Sequence, residues 1–192
     1  MGRNSGRPVR WLRDGFIFIL LMTFGILIAA RLENANEARY SGTFFAIDGD
    51  TLSSQGERFR LVGIDAPELA QSCERGGEAW ACGRQARETM QAFLDAGLVQ
   101  CLGNDRDKYR RVLVRCSVSG LDLGAEMVSA GLAVTTEYFL FAEEQASAQK
   151  RGMGIWGGPF DQPRDWRREH KAAEMDAPGA SIIAAIRHLL GW

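Results

Sequence analysis

Two acidic turns separated by one short strand limit what this chain can fold into more than any other feature. Asp48-Gly49-Asp50-Thr51 cannot lie inside a regular helix or a central strand, because Gly49 frees the backbone and aspartates compete with it for hydrogen bonds. The run 58–64 that follows has strand character, with Phe59, Leu61 and Gly63 on one face and Arg60, Val62 and Ile64 on the other. Asp65-Ala66-Pro67-Glu68 ends it, since Pro67 cannot donate to a ladder and drives Ala66 out of helical geometry. Carboxylates therefore stand at both ends of one strand, with a guanidinium between them.

Hard cations such as calcium take carboxylate, carbonyl and water oxygens, and Asp50 and Asp65 with a loop carbonyl supply that chemistry. Glu68 is then left over to take the proton from an attacking water, while Arg60 neutralises charge growing on a phosphate. That division of labour is phosphodiester hydrolysis. Either turn alone reads as an ordinary solvated loop.

Taken together, in this order and with FRLVGID between them, the two turns resemble the staphylococcal nuclease family, and Asp107-Lys108-Tyr109-Arg110-Arg111 is similar to that family's second arginine motif. The resemblance runs from about Tyr40 to about Arg168 and implies an OB-fold barrel with attached helices. It implies Asp50, Asp65 and the carbonyl of Ala66 as calcium ligands, Glu68 as general base, and Arg60 and Arg111 as phosphate clamps. Asp48 and Thr51 support the ligands from the same turn. Lys108 and Tyr109 are placed beside a neighbouring phosphate, with a solvated loop as the alternative. Tyr138 lies where the family carries tyrosines beside the bound nucleotide, with ordinary packing as the alternative. The chain departs from the family at Ala66, usually threonine or a small residue, and at Arg110, usually glycine.

The fold class expected is α+β, mainly β: a five-stranded barrel with about three packed helices, preceded by one helix. Strands are expected at 40–46, 52–55, 58–64, 98–102 and 111–118, and helices at 78–95, 123–130 and 142–151, from alternation, helical spacing and Gly stops. The folded domain is expected over 40–168, after a basic segment 1–14, an apolar segment 15–31 and a linker 32–39. A tail 169–192 carries a short amphipathic helix with Ile182, Ile186 and Leu190.

Arg3, Arg7, Arg10 and Arg13 precede the uncharged run from Gly15 to Ala30. That pattern reads as an export signal or an uncleaved transmembrane anchor with its amino end in the cytoplasm and the domain on the far side of the cell membrane. The four cysteines all lie downstream, an even number suited to an oxidising space. Cys73 and Cys82 straddle a Gly-Gly loop, and Cys101 and Cys116 lie on strands that one loop brings together. Local pairings are thus favoured over the other two connectivities, with free buried cysteines as the alternative. Zinc and histidine chemistry lack a pattern, since the only histidines are His170 and His188.

The formal net charge is −1, which excludes a protein that coats nucleic acid by bulk electrostatics. An enzyme holding one phosphodiester of DNA, RNA or both with two arginines and calcium fits that balance. A non-catalytic OB-fold module binding nucleic acid or protein at the cell envelope is the competing expectation.

Overall fold

The computed structural model describes residues 7–35, 37–137 and 139–176. Two compact units divide the chain, Met1–Ala38 and Arg39–Trp192. In the first, α1 (Arg7–Ala35) is a helix of 29 residues, and Phe16, Phe18, Leu21 and Phe24 on it are more than half exposed. Its uncharged stretch covers about 24 Å at about 1.5 Å per residue, short of a hydrocarbon core about 30 Å thick. Among the described residues no helix is long and apolar enough to cross a membrane, so the helix expected there is present without the span.

The second unit runs β1 (Arg39–Gly42), β2 (Phe45–Ala46), β3 (Thr51–Ser54), β4 (Glu57–Leu61), β5 (Ile64–Asp65), β6 (Cys73–Arg75), β7 (Glu78–Trp80), α2 (Cys82–Asp95), β8 (Val99–Leu102), β9 (Val112–Val118), β10 (Leu121–Asp122), α3 (Leu123–Ser129), β11 (Val134–Thr135), α4 (Ala142–Lys150), a 3-10 turn at Gly154–Gly157 and α5 (Pro163–Asp176). Its main sheet has the order β1-β8-β9-β4-β3-β2, with only the β4–β9 pairing parallel. The two edges, β1 and β2, are consecutive pieces of one run of chain, so the sheet closes on itself as a ring of the five expected strands.

Period-two burial explains why these segments pair as they do. Val112, Val114, Cys116 and Val118 of β9 point inward and the residues between them outward, and Phe59 and Leu61 of β4 do the same. The core they form is capped by α2, which buries Ala86, Met90 and Leu94 at four-residue spacing, and by α3, which buries Leu123, Met127 and Val128. Asp122 caps α3 by accepting from Ala125 N–H.

Three expectations are corrected. The strand predicted over 58–64 stops at Leu61, because Gly63 at φ +79° turns the chain and sends Ile64–Asp65 away to pair with β11. The helix predicted from residue 78 begins at Cys82, because 73–80 fold into the β6–β7 hairpin around Gly76-Gly77, closed by the Cys73–Cys82 disulfide. Helix α5 was not predicted. It begins at Pro163, whose fixed φ suits a first helical position, but its polar composition shows no apolar stripe. Five α-helices therefore stand among the described residues. Tyr138 and the tail helix expected near Ile182 lie outside those residues.

The second disulfide joins Cys101 and Cys116, directly opposite on β8 and β9, and no cysteine is free. Replacing that pair by alanines should lower the unfolding free energy by about 3 kcal/mol, the chain-entropy value for a loop of about fifteen residues. Denaturant titration checks this, and a change under about 1 kcal/mol would place the stabilisation elsewhere.

Candidate active site

Close approach, not backbone freedom, is what Gly49 supplies. A Cβ there would lie 2.6 Å from that of Ala66 and 2.9 Å from that of Ala86, so the bare glycine lets the first acidic turn sit against the second and against α2. Asp48 closes the first turn, its Oδ1 accepting the N–H groups of Asp50 (2.9 Å) and Thr51 (2.6 Å). The Ala66 N–H then donates to Asp50 Oδ2 at 3.0 Å and ties the two turns together.

Asp50 and Asp65 are 3% and 5% exposed, and arginines neutralise both. Arg60 reaches out of the barrel between them, with Nη1 2.5 Å from Asp50 Oδ1 and Nη2 2.8 Å from Asp65 Oδ1. On the far side of Asp65 stands Arg167 of α5. Its Nη2 meets Oδ2 at 2.9 Å, and its Nη1 meets Oδ1 at 3.0 Å and Glu68 Oε1 at 2.7 Å. Thr51 links the other end, donating to Asp50 Oδ1 at 3.0 Å and accepting from Arg111 Nη1 at 3.1 Å. Asp107 grips the opposite edge of Arg111, Nε and Nη2 both lying 2.7 Å from its Oδ2.

One unbroken chain of contacts therefore joins Arg111, Thr51, Asp50, Arg60, Asp65, Arg167 and Glu68. It borders an open cleft of about 940 Å³ whose walls include Lys108 and Tyr109 on one side and Trp166 and His170 of α5 on the other. The Lys108 ammonium and the Arg111 guanidinium lie 5.1 and 5.4 Å from the centre of the Tyr109 ring.

Burial pushes the Asp50 carboxyl up to about 7, with the attraction of Arg60 working against it and the repulsion of Asp48 adding to it. Burial pulls Arg60 down, but Asp50 and Asp65 more than compensate and hold its proton more tightly than usual. Arg167 is raised in the same way, burial being outweighed by its hydrogen bonds to Asp65 and Glu68. Slight burial raises Asp107, and its hydrogen bonds with Arg111 prevail and lower it.

The donors that converge here are oxygens of buried carboxylates and of the backbone, the chemistry a hard cation takes. As placed, those carboxylates serve guanidinium groups, and among the described residues no group of three or more His, Cys, Asp or Glu side chains is arranged to hold a metal ion.

Of the residues singled out in the sequence, Asp48, Asp50, Thr51, Arg60, Asp65, Ala66, Glu68 and Arg111 are brought together, and Lys108 and Tyr109 line the same cleft. Arg167 and the role of Asp107 were missed. Asp107 stood in the quoted motif, and its four-residue spacing to Arg111 was the available signal. Arg167 meets its partner across 102 residues of sequence and had none.

Arg110 adopts φ +67°, the left-handed conformation glycine tolerates, so the chain keeps the turn at the position where the resembled family has glycine. The turn is closed by Arg110 N–H on the Asp107 carbonyl at 2.9 Å, and Arg111 follows it into place.

Residues 58–158, over half of the chain, match the family described as Staphylococcal nuclease homologue. The chain belongs to the staphylococcal nuclease family. Among relatives of this nuclease-family chain, Succinoglycan biosynthesis protein ExoI of Rhizobium meliloti (strain 1021) is 36% identical over 144 residues, 70% of this chain and 75% of that protein. Probable endonuclease LCL3 of Pyricularia oryzae is 32% identical over 129 residues, 59% of this chain and 49% of its own length. Probable staphylococcal-like nuclease CAN3 of Oryza sativa subsp. japonica is 28% identical over 154 residues, 77% and 38% respectively. The chain thus spans about half or less of the last two.

Two outcomes follow for the nuclease-family domain. Arg110→Gly should stabilise it by up to about 1 kcal/mol by relieving the left-handed conformation, read as a shift in denaturant midpoint; a loss of stability would show that the arginine side chain outweighs the strain. Asp50 has a folded pKa above its unfolded one, so its contribution to stability is complete below about 4 and is lost as pH rises through about 7. Melting in the presence of chelator should show that decline, and Asp50→Asn should remove it.

Proposed function

We propose that the chain is a nuclease that hydrolyses phosphodiester bonds of DNA, RNA or both and leaves 3′-phosphate ends. The observation that carries this reading is the continuous network from Arg111 to Glu68, which sets three guanidiniums and a partly exposed carboxylate around one cleft. The names of the relatives LCL3 and CAN3, a probable endonuclease and a probable staphylococcal-like nuclease, accord with it.

Glu68 takes the proton from the attacking water, its carboxylate oriented by the Arg167 N–H on Oε1. Arg60 and Arg111, each with a side chain 19% exposed, meet the phosphoryl oxygens as charge builds on them, and Asp107 fixes the plane of Arg111 so that it arrives in a set orientation. A calcium ion, for which Asp50, Asp65 and the Ala66 carbonyl would be the ligands, would supply further polarisation of a phosphoryl oxygen. Both disulfides support work in an oxidising compartment, with α1 as the export or membrane-contact element.

Cleavage of labelled DNA and RNA, with calcium and with chelator, tests the reading. Glu68→Gln should reduce turnover at least about a hundredfold, and near-normal turnover would remove Glu68 from the mechanism. Arg60→Lys and Arg111→Lys should each be severely impaired, because an ammonium keeps the charge and loses the two-pronged fit to phosphate. A lysine variant that retained most of the rate would release that arginine from its assigned role.

A further inference from the structure

Helix α5 adds a wall to the cleft that the matched family segment, ending at residue 158, does not contain. It is moored at two points. Gln71, fully buried beside the second acidic turn, donates from Nε2 to the Asp161 carbonyl at 2.7 Å just ahead of the helix, and Arg167 binds Asp65 and Glu68. With the helix held there, Arg164, Arg167 and Arg168 share one face by their three- and four-residue spacing. Arg167 turns into the site, while the Arg164 and Arg168 side chains are 81% and 74% exposed beside Asp165. Trp166 and His170, four residues apart, stack face to face with centroids 3.7 Å apart and planes 18° apart, and His170 is the exposed ring of the pair.

Six cations line the cleft, Arg60, Lys108, Arg111, Arg164, Arg167 and Arg168; Asp50, Asp65, Glu68 and Asp107 hold Arg60, Arg167 and Arg111, while among the described residues Arg164 and Arg168 meet only the surface carboxylate of Asp165, at 3.9 and 3.1 Å. Exposed pairs of that kind exchange readily, which leaves Arg164 and Arg168 available to a polyanion at the mouth of the cleft. Resting on the nuclease reading, we propose that α5 is a binding surface for single-stranded nucleic acid beyond the scissile phosphate: Arg164 and Arg168 take backbone phosphates, and one base continues the Trp166–His170 stack. An exposed ring can stack only a base whose face is free, so the occupant is a single strand and not a duplex. At about 100° per residue, Arg164 and Arg168 flank the inward Arg167 on one side and Trp166 and His170 on the other, so phosphate-binding and base-stacking groups border the cleft side by side.

Fluorescence anisotropy of labelled thymidine oligonucleotides of two and ten residues, measured on the full chain in chelator so that no cleavage intervenes, tests this. The ten-mer should bind the unaltered protein at least about tenfold more tightly than the two-residue probe. Arg164→Ala with Arg168→Ala should remove most of that difference and flatten the salt dependence by about 1.4 logarithmic units per unit, two phosphate contacts at about 0.7 each. His170→Ala alone should weaken the ten-mer about fivefold or more. All three positions are exposed, and melting curves verify that the variants remain folded. The proposal is overturned if both variants bind the ten-mer as the unaltered protein does, or if a duplex of equal length binds as tightly as the single strand. Altered affinities without cleavage under any cation would overturn the nuclease reading alone; cleavage with unmoved affinities would overturn this surface alone.

Discussion

Two carboxylates shut away from water cannot both stay charged unless cations touch them, and Arg60 is the cation that touches both. Its position follows from the alternation of β4. Phe59 and Leu61 point into the barrel, so Arg60 between them must point out, and the register of β3 with β4 sets Thr51 directly opposite. The barrel core thereby aims the guanidinium. Without it Asp50 would lose the attraction that opposes its burial and would take up a proton, and breaking comparable buried pairs costs about 3–5 kcal/mol.

The remaining members of the site are held in relation to that pair. The turn at Gly63 takes Asp65 off the barrel to a short ladder with β11, close enough for Arg60 to reach it from one side and Arg167 of α5 from the other. Asp107 and Thr51 do for Arg111 what the two buried aspartates do for Arg60, fixing a flexible cation by bonding it from two edges. Burial and charge pairing thus act together: the carboxylates require the arginines, and the arginines are oriented because of it.

What was legible in the sequence was local. The barrel strands announce themselves by alternation, and α3 by Asp122 ahead of an apolar run, because those signals come from neighbours a few residues apart. The pairing of Cys101 with Cys116 was legible because one loop separates their strands. Asp50, Arg60 and Asp65 could be grouped because they flank a single strand. The start of α2 was misread because a disulfide-closed hairpin took over residues whose own spacing allowed a helix. Gly49 was read as a flexible joint, whereas its reason is a contact with Ala66 and Ala86 that only folding creates. Arg167 was invisible because a polar helix carries no apolar period and its partners lie about a hundred residues away.

The boundaries of the family match run through this network and not around it. Residues 58–158 keep Arg60, Asp65, Glu68 and Arg111 but exclude Asp50 on one side and Arg167 on the other, together with the strands β1–β3 that close the ring. A fragment cut at those limits would retain most of the recognisable residues while opening the barrel at one edge and stripping a cation from a buried carboxylate. For this chain the smallest self-sufficient unit is therefore set by where its buried charges find their partners, from Arg39 through at least Arg167, and the 58–158 match alone draws it too short at both ends.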